Sequence, residues 1–102
     1  MHQVNIAVVC GSGVAMAMHA AYKLRERLEK ENLAVRIDGL GNSDLPKRIS
    51  QYDIIISNVE LPKEIKKPVY DAVPLLTGLG EEALVAQIIK KVREIQNQST
   101  IE

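Results

Sequence analysis

The chain has no tryptophan, no phenylalanine and only three tyrosines, so its core has to be built from Ile, Leu, Val and Ala. Aliphatic, β-branched cores are what parallel sheets buried on both faces require. One cysteine cannot close an internal disulfide, and with two histidines it cannot supply a Cys/His zinc site, so neither metal nor cofactor is expected. Charge of either sign is not in excess: 13 basic residues face 13 acidic ones. Nothing there drives counterion release, which argues against nucleic acid as a partner. The densest apolar stretch, Ile54-Ile55-Ile56, is far short of the roughly 18 residues of a membrane span, so no direct membrane insertion is expected. Met1-His2-Gln3-Val4 shows no charged segment leading into an apolar one, as a secretory leader would. A lone unpaired cysteine suits a reducing compartment. A cytoplasmic location is the expectation.

What is present is a 102-residue chain that is 46% apolar, enough for one domain over residues 1–102 with its own core. Val4 to Val9 is a short apolar run that reads as a buried strand, and it empties into Cys10-Gly11-Ser12-Gly13. From Val14 the period becomes helical, with Val14, Met18, Ala21, Leu24 or Arg25, and Leu28 on one face and Lys23, Arg27 and Glu31 on the other. Glu31-Asn32 supplies a stop, since Asn accepts a left-handed backbone. Ala34 to Asp38 alternates as a strand nearer the sheet edge does. Asn42-Ser43-Asp44 and Pro46 start a short helix reaching about Gln51. Asp53 to Ser57 reads as a central strand, Leu61 to Pro68 as a charged surface loop, and Val69 to Val73 as a short edge strand. Pro74 to Gly80 is a turn-rich connection. A last helix runs from Glu81 to about Ile95, and the polar residues from Gln96 to Glu102 are expected to fray.

Strands alternating with helices imply βαβ units and right-handed crossovers. The expected fold is α/β, Rossmann-like and three-layered: a four-stranded parallel sheet of order 2-1-3-4 flanked by helices. The order reverses between strands one and three, and ligands belong beyond the carboxyl ends there. Cys10 to Gly13 leaves strand one at that place, and Asn58 leaves strand three beside it.

The first loop is therefore where chemistry is expected. Its glycines let the backbone turn sharply and approach a ligand. The free amides at the helix start, together with the helix dipole, make a phosphate cradle. The same field is expected to lower the pKa of the Cys10 thiol. The bland alternative is that Cys10 is a small core residue at the end of a strand. Other loop chemistries fit poorly. A dinucleotide fingerprint wants a small third residue where Met16 stands, and no Gly-Lys-Ser/Thr of a P-loop occurs. A cysteine phosphatase needs an arginine six positions after the cysteine to grip phosphate, and that position is also Met16. His19 reads as a solvated helix residue. Asp38, Ser57 and Asn58 read as turn formers, and Lys63 to Lys67 as a solvated loop.

The chain resembles the IIB components of the sugar phosphotransferase system, most closely the galactitol type. The resemblance lies in Asn5-Ile6-Ala7-Val8-Val9-Cys10-Gly11-Ser12-Gly13-Val14-Ala15, in Asp53-Ile54-Ile55-Ile56, and in Val73-Pro74-Leu75-Leu76-Thr77-Gly78-Leu79-Gly80-Glu81-Glu82. The Leu-Thr-Gly-Leu-Gly-Glu-Glu segment is what points to the galactitol type. The resemblance implies a transferase of sugar transport. A IIA phosphocarrier would give its phosphate from histidine to Cys10, and the phosphocysteine would pass it to a sugar or polyol presented by the membrane subunit IIC. It implies Cys10 as nucleophile, with the amides of Gly11, Ser12, Gly13, Val14, Ala15 and Met16 and the Ser12 hydroxyl as phosphate donors. One departure stands out: loops of this type carry Thr-Ser where this chain has Met16 and Ala17. A regulatory or thiol redox-sensing module without phosphotransfer is the alternative.

Overall fold

The computed structural model describes the backbone of residues 3–101 and the side chains of residues 3–98. Met1 and His2, inspected above for a leader, and Glu102, the last residue of the expected fraying tail, lie outside them. Four parallel strands make one sheet: β1 (Val4–Val9), β2 (Val35–Leu40), β3 (Ile54–Ser57) and β4 (Val69–Asp71), in the order β2-β1-β3-β4. This is the topology the sequence predicts. Between and after them run α1 (Val14–Glu29), α2 (Leu45–Arg48, continuing as a 3-10 turn through Gln51), α3 (Val73–Thr77) and α4 (Glu81–Ile101).

The two central strands are buried on both faces, which their aliphatic runs require. Val4, Ile6, Val8, Ile54 and Ile56 point to the side covered by α1 and α4. Ala7, Val9 and Ile55 point the other way, against Leu40, Leu45 and Tyr52. Every strand carboxyl end therefore opens at one edge of the sheet, with Val9 registered against Ser57.

Helix α1 buries Ala21, Leu24 and Leu28 as expected, but its first two turns face the sheet differently. Ala17, Ala20, Ala21, Leu24 and Leu28 are buried, whereas Val14 is 48% and Met18 59% exposed. The reason is close approach. At Gly39 on β2, an added Cβ would come within 2.5 Å of the Met18 amide nitrogen, so only alanines fit where the helix crosses. Bulkier Val14 and Met18 are rotated outward. Asn32, at φ 56°, ends the helix in the left-handed region as its sequence position predicts.

Lys23, Arg27 and Glu31 do not simply face water. Glu81 binds Lys23 at 2.9 Å and Arg27 at 3.1 Å, and Arg93 binds Glu31 at 3.2 Å, so this face of α1 is tied to α4. Strand β2 runs two residues beyond Asp38. The expected turn at 74–80 begins as helix α3, with its Val73 amide held by Asp71 Oδ1 at 2.9 Å and its end closed by Gly78 at φ 84°. A five-residue helix is too short to show a 3.6-residue period. Helix α4 continues to Ile101 rather than fraying after Ile95, and Gln96 on its inner face is buried, donating to the Ala34 carbonyl at 3.3 Å.

Candidate functional site

Cys10 follows the last residue of β1, at the place where the strand order reverses. It is 1% exposed and packed into the core between the sheet and α1. Burial pushes its thiol above the ordinary value. This corrects the expectation of a lowered thiol pKa: burial disfavours the charged sulfur. At rest Cys10 carries its proton.

The loop after it is shaped by two contacts. The Gly13 amide donates to the Cys10 carbonyl at 3.2 Å, closing a tight turn. Gly13 itself stands at φ 124° and ψ 170°, a conformation that a residue with a Cβ adopts only under strain. It serves as N-cap of α1 without any side-chain cap, and its carbonyl receives the Ala17 amide at 3.2 Å. The amides of Val14, Ala15 and Met16 precede that first bond, so they have no intrahelical acceptor. No acidic residue occupies the first turn of α1. The start of α1 is thus uncapped and electropositive, and Ser12, Val14, Ala15 and Met16 are exposed around it.

The Gly11 amide is engaged differently. It donates to Oδ1 of Asn58 at 2.7 Å, and the Asn58 amide in turn donates to the Val9 carbonyl at 3.2 Å. Ser57, buried at the end of β3, holds the adjoining turn by donating to the Val59 carbonyl at 2.9 Å and accepting from the Val59 amide at 3.0 Å. The Val59 side chain then stands against Gly11, 2.8 Å from where a Cβ would lie. From sequence Ser57 and Asn58 read as turn formers. The structure gives Asn58 a second task, and the only sequence signal for it was its place at the end of the strand beside β1. On the far side of Val59 lies an apolar cavity of about 370 Å³, walled by Val9, Leu45, Ile49, Leu61 and Ile65.

The remaining candidates lie apart from this loop. Asp38 sits inside β2 and accepts from the Tyr52 hydroxyl at 2.7 Å, with Arg36 at 3.3 Å and Arg48 at 3.6 Å. That cluster fastens α2 to the sheet edge. His19 is exposed on α1. Lys67 donates to the carbonyls of Ile49 and Tyr52, so this part of the charged loop is an anchor. Among the described residues no three His, Cys, Asp or Glu side chains gather as a metal site, and no helix is long and apolar enough to cross a membrane. Of the two positions that depart from the usual Thr-Ser, Met16 is 39% exposed at the helix start while Ala17 is wholly buried against β2. Only residue 16 can present a side chain to the loop.

The arrangement suits a nucleophile that takes and yields an anionic group. Comparison with known proteins bears on which group. Residues 5–91 match the family model described as "PTS system, Lactose/Cellobiose specific IIB subunit". The chain is also 26% identical, over 84 residues, to "Putative phosphotransferase enzyme IIB component SgcB" of Escherichia coli (strain K12), spanning 82% of this chain and 91% of that relative. The matched region contains β1 from Asn5 onward, the other three strands and the Cys10 loop.

Proposed function

The chain belongs to the IIB subunit family of the phosphotransferase system, and on that premise we propose that it is a cytoplasmic carrier whose Cys10 holds the phosphoryl group in transit. Family membership makes it a sugar-transport phosphotransferase component that works with IIA and IIC partners. The proposal adds the residue, the chemistry and the branch. The whole chain acts as one IIB domain.

The observation that carries it is the uncapped start of α1 four residues after Cys10, with three amides lacking intrahelical acceptors and no acidic side chain in the first turn to repel a phosphate. In the first step the Cys10 sulfur attacks the phosphorus of phosphohistidine on IIA. The S–P bond forms, the N–P bond breaks, and the thiol proton goes to the released imidazole nitrogen. A protonated resting thiol therefore supplies the proton that this leaving group needs. In the second step a hydroxyl of the sugar on IIC attacks the same phosphorus. The O–P bond forms, the S–P bond breaks, and the hydroxyl proton returns to the sulfur. Donor, carrier and acceptor exchange one group, so the protein's contribution is positioning and charge stabilisation. The amides of Val14, Ala15 and Met16, the exposed Ser12 hydroxyl and the α1 dipole provide it.

The galactitol branch is proposed from the Leu76–Glu82 segment. In this structure that stretch forms the end of α3 and the start of α4, with Gly78 and Gly80 at positive φ and Glu81 pairing with α1. These are scaffold roles, so the segment marks lineage while sugar choice rests with IIC. The thiol-sensing alternative finds no support in a buried cysteine whose burial keeps it protonated.

The test is reconstitution. The protein, phosphorylated IIA and membranes bearing the cognate IIC are mixed, and labelled phosphate is followed into galactitol, lactose and cellobiose. Label reaching galactitol supports the full reading. Label reaching only a disaccharide overturns the branch, and label that never leaves IIA overturns the carrier.

A further inference from the structure

The hydrogen bond between the Gly11 amide and Asn58 sets up a competition. The donor is a backbone N–H, so the atom facing it at 2.7 Å is necessarily the side-chain oxygen of Asn58. An amide held this way is not available to a phosphoryl oxygen on the neighbouring sulfur. The side chain of Asn58 is also well placed to keep hold. The backbone N–H of Asn58 donates to the Val9 carbonyl at 3.2 Å, and the turn it sits in is fixed by both hydrogen bonds of Ser57. Val59, from the same turn, packs against Gly11 closely enough to leave no room for a side chain there. The turn after β3 thus grips the first residue of the Cys10 loop in two ways, through hydrogen bond and contact. Cys10 beside it is 1% exposed.

We propose that Asn58 is a positioning residue of phosphotransfer, a latch that holds the Cys10 loop closed at rest by occupying the Gly11 amide and releases that amide to the phosphoryl group when Cys10 is loaded. This rests on the carrier reading and extends it to the control of the loop. The latch explains how an uncapped helix start and a buried thiol coexist. At rest the Gly11 and Gly13 amides are satisfied internally, and the exchange of one acceptor for a more strongly bound anionic one drives the opening of the loop. Hydrogen bonds to a charged acceptor are roughly twice as strong as those between neutral groups.

Two substitutions have opposite consequences. Asn58→Ala frees the Gly11 amide, so Cys10 becomes easier to reach and phosphate gains a donor. Asn58→Asp keeps the acceptor, strengthens it by charge and sets a like charge beside the incoming phosphate. Two readouts are taken on the full chain: the rate of Cys10 alkylation by iodoacetamide, and the equilibrium of phosphate between cognate phospho-IIA and this protein. Thermal melts confirm that both variants are folded. For Asn58→Ala the expected results are alkylation about three- to tenfold faster and an equilibrium shifted about as far toward phosphocysteine, the size of one neutral hydrogen bond. For Asn58→Asp alkylation is no faster than in the parent protein, and the equilibrium moves about tenfold or more toward IIA.

A merely structural Asn58 would shift both variants in the same direction or neither. That result overturns the proposal, as does an unchanged alkylation rate in Asn58→Ala, which needs no phosphate donor to measure. Failure of the parent protein to accept phosphate is a separate outcome. It removes the carrier reading and the transfer role of Asn58 together, whereas an unchanged alkylation rate with intact transfer removes the latch alone.

Discussion

A Cβ placed on Gly39 would lie 2.6 Å from the carbonyl carbon of Ala17 and 2.5 Å from the amide nitrogen of Met18, so α1 crosses β2 in backbone contact. That contact sets where the start of α1 stands relative to the end of β1. The groups it would strike are backbone, which cannot rotate aside.

Gly39→Ala is therefore expected to push α1 outward. Overpacking of this kind costs about 1–3 kcal/mol, readable as a lower denaturation midpoint in urea. Phosphate uptake falls with it, because the amides of Val14, Ala15 and Met16 move away from Cys10. A variant as stable as the parent protein would show that α1 is not held by this crossing.

The pH dependence of stability follows from Cys10. Burial raises its folded pKa above the ordinary 9.0, so as pH rises the unfolded chain loses the thiol proton first. The contribution of this group is full below the unfolded pKa and is lost as pH climbs through it toward the folded value. Urea unfolding at about pH 7.5 and about pH 9.5 measures this. The parent protein should lose more stability over that interval than Cys10→Ser. Tyr52, whose phenol is raised by burial and by Asp38, is present in both proteins and cancels. Equal losses would contradict a buried, protonated thiol.

The two departures from the usual Thr-Ser separate cleanly. Met16→Thr places a hydroxyl at the exposed helix start and should change the phosphoryl equilibrium by less than about tenfold, because the amides already supply donors. Ala17→Ser puts a hydroxyl into the α1–β2 contact. It should cost about 1 kcal/mol of stability, since the hydroxyl can reach back only to the Gly13 carbonyl. Denaturation of both variants, with the transfer equilibrium for Met16→Thr, checks this. A gain in transfer of about a hundredfold for Met16→Thr would show that the chain lost a contact it needs.

Strand order and the place of the loop were legible because they depend on coarse signals. Ile54-Ile55-Ile56 reads as a strand covered on both sides, and Cys10-Gly11-Ser12-Gly13 as a sharp exit from one. The later part of the α1 face, Ala21, Leu24 and Leu28, was legible, but its first two turns were not, because hydrophobicity alone favours Val14 and Met18 over Ala17 and Ala20. What decided it was Gly39, distant in sequence on β2, whose missing side chain admits only a thin helix face. Helix α3 was hidden by its length, and the reach of α4 by the polarity of Gln96, which is buried on the Ala34 carbonyl. The thiol was misjudged for a related reason: the dipole of α1 can be inferred from sequence, but the depth of Cys10 cannot. The grip of Asn58 on Gly11 joins residues 47 apart, and no local pattern records it.

The central claim is that Cys10 carries the phosphoryl group, and intact-protein mass spectrometry after mixing with phosphorylated cognate IIA tests it most directly. The parent protein should gain the mass of one phosphoryl group, with fragmentation placing it on Cys10. Cys10→Ser, whose hydroxyl is a far weaker nucleophile at neutral pH, should gain none while remaining folded. Full labelling of Cys10→Ser, or a phosphoryl group placed on any other residue of the parent protein, would contradict the account.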